Sequence, residues 1–476
     1  MTPAPYRPAP VHADLGPGFF DAVAAARFPQ TILRYRNQRW AEAVGLGDLT
    51  EAQWIGHFGR FEPLPDNLPE PLALRYHGHQ FRSYNPELGD GRGFLFAQLL
   101  DGAGRLLDLG TKGSGRTPYS RFGDGRLTLK GGVREVLATA LLEAYGVYTS
   151  KSFSLIETGE SLQRNDEPSP TRSSVLVRLS HSHVRFGTFQ RLLAENDQER
   201  IARLVSHCVR HYHPQAAREG DVAREAPALL EAAARASGAM VAEWMAAGFV
   251  HGVLNTDNCV ITGESFDYGP WRFLPRYDPN FTAAYFDEFG LYCFGRQPGA
   301  IAWNLERLAE CLTLVAPVAD LEPALKTYAP AFHAGLRRAI CARLGVAQMD
   351  DAADDELAAG FFQFLLKSQA LFERTVFDWH GGETRRAFAL AGPQAALYRG
   401  EAFERFFRAL AAHPPLAKTA EAAAYLDGEG PATLLIEEVE GLWAPIAERD
   451  DWSLFAAKLA QIEQARRAYA IVPVRP

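Results

Sequence analysis

The sequence predicts an α+β protein in which a small β-rich lobe is followed by a larger helical lobe. Three observations carry that reading. Two apolar runs, Phe94 to Leu100 and Arg105 to Lys112, flank Asp101-Gly102-Ala103-Gly104, the pattern of an antiparallel hairpin. Val133, Val136, Leu137, Ala140, Leu141 and Ala144 recur at helical spacing, and the stripe stops before Gly146. After a further strand-like run at 174–179, helix-forming sequence dominates from about residue 188, as in 226–247.

Taken in order, residues 1–75 read as an irregular N-terminal extension, with prolines at 63, 65, 69 and 71. Residues 76–190 form the β-rich lobe, 191–330 the helical lobe, and 331–476 an alanine-rich, divergent helical region. At 476 residues and 47% hydrophobic composition the chain can bury a large core. The net charge of −8 provides no global attraction to nucleic acid or anionic lipid, so neither is expected as a partner. No apolar stretch reaches the roughly 18 residues that a membrane span needs, and the proline-rich amino terminus resembles neither a signal nor a transit peptide. The expected compartment is the cytoplasm. Cys208, Cys259, Cys293, Cys311 and Cys341 lack metal-ligand spacing and read as reduced, buried thiols.

The chemistry begins at Leu88-Gly89-Asp90-Gly91-Arg92-Gly93, where closely spaced glycines let backbone N–H groups approach a phosphate. Taken alone, a tight turn is the simpler reading, and the same holds for Gly123-Asp124-Gly125-Arg126. Lys112 ends the second strand after the first loop, and Glu135 lies in the first turn of the expected helix. A strand lysine held by a helix glutamate is how a protein kinase presents an ammonium to nucleotide phosphates. An exposed lysine and a glutamate favoured by the helix dipole remain the alternative.

The most informative stretch is His251-Gly252-Val253-Leu254-Asn255-Thr256-Asp257-Asn258, followed by Asp267-Tyr268-Gly269. His251 and Asn258 have the spacing of a kinase catalytic loop, and Asp267 stands where the second metal ligand belongs, with Val260-Ile261 expected as a short strand between. The amide oxygen of Asn258 and the carboxylate of Asp267 are hard donors suited to Mg²⁺ or Mn²⁺. The general base of a kinase is missing, because its position is Val253. Asp257 is the nearest carboxylate that could replace it. Arg178 and Arg185, with Arg116 and Arg121, supply guanidinium groups that clamp phosphates. The order of loop, lysine, glutamate and catalytic loop is that of a protein-kinase-like bilobal fold.

With Gly78-His79-Gln80-Phe81, Lys112-Gly113-Ser114-Gly115-Arg116-Thr117-Pro118-Tyr119-Ser120-Arg121 and Ser182-His183-Val184-Arg185-Phe186-Gly187-Thr188-Phe189, these motifs resemble the selenoprotein O family of kinase-like protein adenylyltransferases. The resemblance spans about 70–310. It implies that ATP lies reversed relative to a kinase, so that AMP passes to a Ser, Thr or Tyr hydroxyl of a protein. Carried over by position, Gly89, Gly91, Arg92, Lys112, Asp124, Gly125, Arg178, Arg185 and Asp267 would hold the nucleotide. Asn258 and Asp267 would hold the metal, Glu135 would position Lys112, and Asp257 would accept the proton. A monomer acting on protein substrates is expected, with AMP against UMP left open. Two rivals remain: transfer of the γ-phosphate, which calls for an Asp at position 253, and a non-catalytic nucleotide-binding scaffold, which calls for damage at Lys112, Asn258 or Asp267. Beyond about residue 310 the family's carboxy-terminal sequence is not recognisable, and Val472-Pro473-Val474-Arg475-Pro476 contains no cysteine, so no disulfide to a tail is expected.

Overall fold

The computed structural model describes residues 4–165 and 167–473. It is α+β. The expected hairpin forms from strands Leu95–Leu100 and Leu106–Lys112, with Leu100 opposite Leu106. Its turn closes because Asp101 Oδ1 accepts from the amides of Ala103 and Arg105, both at 2.9 Å, while Gly104 takes a left-handed φ of 82°.

The hairpin lies inside an antiparallel eight-stranded sheet of order Phe20–Ala22, Leu72–Leu74, Leu95–Leu100, Leu106–Lys112, Thr171–Ser180, Lys151–Leu162 and Ile32–Arg36, with Leu127–Thr128 also paired to Thr171–Ser180. Residues 1–75 are therefore less irregular than the sequence suggests. They supply strands on both flanks of this sheet, each only 3–5 residues long, too short for an alternating pattern to declare itself. Their neighbours create the strands through pairing, and one buried core cluster joins Trp40, Trp54 and Phe58 to Phe96, Leu109, Phe153 and Val177.

The helix carrying Glu135 spans Leu129–Ala144. Thr128 caps it by accepting from Gly131 N at 3.1 Å, so it begins a turn earlier than its apolar stripe and Glu135 falls in the second turn rather than the first. The helix dipole therefore does not account for the glutamate. Val133, Val136, Leu137 and Leu141 are fully buried. The 226–247 region lies within a 25-residue helix, Val222–Ala246, capped by Asp221. The expected strand at Val260-Ile261 is reduced to a single bridge between Val260 and Arg185, with Ile261 N donating to Val184 O at 2.9 Å.

The carboxy-terminal region is helical, and its end returns to the sheet. Ser453–Tyr469 packs on Leu129–Ala144, Lys130 pairs with Glu440 at 2.7 Å, and Asp450 pairs with both Arg34 at 3.0 Å and Arg172 at 2.6 Å. The last positions of the tail, 474–476, lie outside the described residues.

All five cysteines are buried and free, and burial pushes the thiols of Cys259 and Cys341 up to about 12. Native protein is accordingly expected to react with a chromogenic disulfide reagent at none of these thiols on the time scale of mixing, and at all of them after unfolding. Fast reaction in the native state would reveal a redox-accessible cysteine.

Candidate active site

The loop Leu88 to Gly93, the end of strand Leu106–Lys112, the segment 119–126 and the loop at Asp257 and Asp267 enclose a cavity of about 720 Å³. Seven Arg and Lys side chains line it against four Asp. In a chain whose net charge is −8, that local excess marks a place for an anion. Gly89, Gly91, Arg92, Lys112, Asp124, Gly125, Arg178, Arg185, Asp257 and Asp267 all line this cavity. Glu135 lies behind it and Asn258 beside it, the latter donating from its amide nitrogen to Val253 O at 3.0 Å.

The glycines have distinct reasons to be there. A Cβ on Gly89 would lie 2.3 Å from the Tyr119 ring, so this glycine permits close approach rather than a positive φ. Gly125 needs both, with φ 71° and a Cβ that would meet Gly115 O at 2.2 Å.

At the floor, Lys112 Nζ donates to Glu135 Oε2 at 2.7 Å and to Asp267 Oδ1 at 2.8 Å. Arg178 Nη1 reaches the same Asp267 oxygen at 3.1 Å and Glu135 Oε1 at 3.5 Å. Two cations and two carboxylates thus form one cluster, which resolves the ambiguity over the Lys112 and Glu135 pair in favour of a direct contact. Burial works against ionising Asp267, yet Lys112, Arg178 and Arg185 outweigh it and hold the carboxyl well below its ordinary range. The backbone at Asp267 is left-handed, φ 62°, which aspartate tolerates better than most residues.

Arg185 is buried, with its guanidinium over the rings of Tyr76 at 4.4 Å and Phe266 at 4.9 Å and with Asp90 at 3.4 Å. Its Nε and that of Arg178 have no hydrogen-bond partner. Opposite these cations in charge stands Asp257, where burial raises the carboxyl to about 6 against the pull of Arg185. Its Oδ1 is buried and without a hydrogen-bond partner. Residues of both signs that carry unpartnered polar atoms and line one cavity are an arrangement that a charged ligand would complete.

The loop bearing Asp257 is held by surrounding elements. His251 Nε2 faces Phe266 O at 2.8 Å, Asn304 donates to Leu254 O at 2.9 Å, and the Thr256 hydroxyl bonds Gln190 Oε1 at 2.5 Å. Val253, where a kinase base would stand, offers only a side chain without polar atoms. Asp267 and Asn258 carry hard oxygen donors of the kind that would suit a divalent ion. Another grouping with ligand potential, Cys341, Asp354 and His413, belongs to the carboxy-terminal helices. There Asp354 already accepts from Met349 N at 2.9 Å and Gln348 at 3.0 Å, as in a structural hydrogen-bond cluster.

Arg164 and Tyr119 are among the lining groups that the sequence does not nominate. Arg164 clamps Asp124 with contacts of 2.8 and 3.1 Å, across 40 residues, and lowers its carboxyl against the effect of burial. Tyr119, although within a recognised motif, serves as the wall against Gly89, and its hydroxyl bonds Asp21 of the amino-terminal segment. Neither pairing has a local signature.

The family model for "Protein adenylyltransferase SelO" matches residues 4–463. The chain is 44% identical to the protein nucleotidyltransferase YdiU of Gloeobacter violaceus, over 97% of this chain and 95% of that protein. It is 43% identical to YdiU of Synechocystis sp. over 94% and 95%. The likeness expected for 70–310 therefore extends through the carboxy-terminal helices, correcting their reading as divergent. Those helices rely on spaced apolar positions and not on compact motifs, so a motif reading passes over them. By the extent of that match, the chain belongs to the SelO family of protein adenylyltransferases.

Proposed function

We propose that this chain transfers AMP from ATP to Ser, Thr or Tyr hydroxyls of proteins, in a metal-dependent reaction run in a kinase-like cleft with the nucleotide reversed. Membership of the family and the activity in the relatives' names, protein nucleotidyl transfer, support the reaction class. The observation that carries the reading is one cavity with a cation cluster at Lys112, Arg178 and Arg185 and an unpartnered carboxylate oxygen on Asp257, while Val253 replaces the kinase base.

In this reading Gly89, Gly91, Arg92, Asp124 and Gly125 cradle the nucleotide, Lys112 and the two arginines bind its phosphates, and Glu135 positions Lys112. Asp267 and Asn258 would hold Mg²⁺ or Mn²⁺, which would offset phosphate charge. The acceptor oxygen attacks the α-phosphorus, its proton passes to Asp257, and the bond to the β-phosphate oxygen breaks to release pyrophosphate. Residues 76–190 form the small lobe, whose sheet strands from 1–75 complete, 191–330 form the helical lobe, and the helices beyond 330 form a cap. The protein acts as a cytoplasmic monomer. No helix among the described residues is long and apolar enough to cross a membrane.

The test is labelling of a protein acceptor with ATP marked at either end. Label from the α-position and an adduct of AMP mass are expected, with UTP run in parallel to compare UMP. Label from the γ-position would establish phosphoryl transfer instead, and neither label with retained ATP binding would establish a scaffold.

A second test concerns the arginines. Arg185→Ala is expected to cost about 1.5–3 kcal/mol of ATP binding by calorimetry, the range for a hydrogen bond to a charged group. Arg178→Ala should lose a similar amount, with a lower melting temperature because Glu135 and Asp267 lose a shared cation. Unchanged affinity in both would make them structural.

A further inference from the structure

The motif Gly78-His79-Gln80-Phe81 is only partly used by the cavity, which Gln80 alone of these residues lines. Its segment forms a small hairpin, Gly78–Gln80 paired with Ser83–Asn85. The turn residues are Phe81 and Arg82, both left-handed at φ 50° and 64°. Asn-Gly is the usual choice for such a turn, and a phenylalanine there is conformationally unfavourable. The hairpin is fastened to the loop that carries Asp257. His79 N donates to Thr256 Oγ1 at 2.7 Å, and Phe81 N donates to Asn255 Oδ1 at 3.0 Å, an oxygen that also accepts from the Tyr292 hydroxyl at 2.9 Å.

Phe81 packs on Tyr292 and on Phe286, and Phe286 meets Tyr285 edge-on at 5.1 Å. Outward from there the aromatics face solvent: Phe286 is 46% exposed, Tyr285 85% and Phe289 90%. Their loop is nonetheless fixed. Asp287 accepts from the amides of Leu291 and Tyr292 at 2.8 Å, and Arg296 donates to the carbonyls of Phe289 and Gly290 at 2.8 and 3.0 Å. A held loop that presents large rings to water loses little further entropy when a partner covers them, which is how rigid aromatic anchors work at interfaces.

Resting on the transferase reading above, we propose that Phe81, Tyr285, Phe286 and Phe289 form the dock for the acceptor polypeptide. The occupant follows from position. Phe81 is bonded to Asn255, two residues before Asp257, and its chain neighbour Gln80 lines the cavity, so a chain that delivers its hydroxyl to that carboxylate passes over the patch. The adjoining charges are mixed, Arg82 and Arg296 against Glu288, so the dock selects by apolar contact. It takes an acceptor with a large aliphatic or aromatic side chain a few residues from the modified hydroxyl.

The experiment uses the full chain, Mn²⁺, ATP marked at the α-position and a randomised peptide library with a fixed central Ser, Thr or Tyr. Peptides with a large apolar neighbour should be enriched among the labelled products. The double variant Tyr285→Ser/Phe289→Ser alters only exposed rings, and should lower kcat/KM for those peptides about tenfold with ATP affinity unchanged. Labelling without regard to apolar neighbours, label that enters only the chain itself, or equal rates in the variant overturn the dock and leave the transferase reading standing. A concentration-dependent dimer abolished by the same substitutions would assign the patch to self-association and also overturn it. If no α-label enters any polypeptide, the transferase reading falls and the dock falls with it.

Discussion

Asp267→Ala is expected to lower kcat/KM for nucleotide transfer by about a thousandfold or more, the scale for removing a charged group that stabilises a developing phosphate charge. The geometry makes the binding outcome more informative than the rate alone. One oxygen of Asp267 accepts from Lys112 at 2.8 Å and from Arg178 at 3.1 Å, so the carboxylate proposed as a metal ligand also neutralises two cations. Its removal leaves Glu135 to balance Lys112 and Arg178 unaided. Metal-free ATP should therefore bind as well as before or better, while the increment that Mg²⁺ or Mn²⁺ adds to ATP affinity should vanish. A group that served only as structural support would lower both affinities together. The melting temperature without nucleotide should fall, because two cations whose side chains are 7% and 5% exposed lose a counter-charge. Asp267→Asn keeps the shape and isolates the charge. Full activity in either variant would remove Asp267 from the site.

Much of this site was legible in the sequence because its parts are short and locally ordered. Lys112, Glu135 and Asp267 are far apart in the chain, yet each lies in a recognisable setting: a strand end, a helix and the motif Asp267-Tyr268-Gly269. The structure adds the contacts that join them. The bulk of the fold that the sequence obscured depends on pairing at a distance. Phe20–Ala22 and Ile32–Arg36 are strands only because Leu72–Leu74 and Lys151–Leu162 lie alongside them. Arg164 and Asp124 form a clamp across the intervening helix Leu129–Ala144 and strand Lys151–Leu162, and nothing near either residue announces it. The return of Ser453–Tyr469 to Leu129–Ala144 is equally non-local, since an amphipathic helix declares its apolar face without naming the surface that will cover it. Asp257 falls between these cases. Its place next to Asn258 nominated it, but only the fold reveals that one carboxylate oxygen is buried without a partner.

That oxygen supports the remaining large effect. Asp257→Asn should lower kcat by about 10²–10⁴-fold, the usual contribution of a positioned general base. The direction expected for ATP affinity distinguishes this role from nucleotide binding. Asp257 is an acidic group in a cavity with an excess of cations, and Arg185 is among the groups that act on its charge. Replacing it with a neutral amide removes a repulsion toward the triphosphate, so KM for ATP should hold steady or fall while kcat collapses. A nucleotide or metal ligand would raise KM instead. The substitution is nearly isosteric, so the hydrogen bonds of the loop through Thr256, Asn255 and Leu254 should persist and the melting temperature should change little. Under the proposed mechanism, with Val253 at the kinase-type base position and Asp257 as the proton acceptor, the rate loss should also be confined to α-label. Retained kcat in Asp257→Asn, with unchanged incorporation from the α-position, would show that the acceptor loses its proton without this carboxylate.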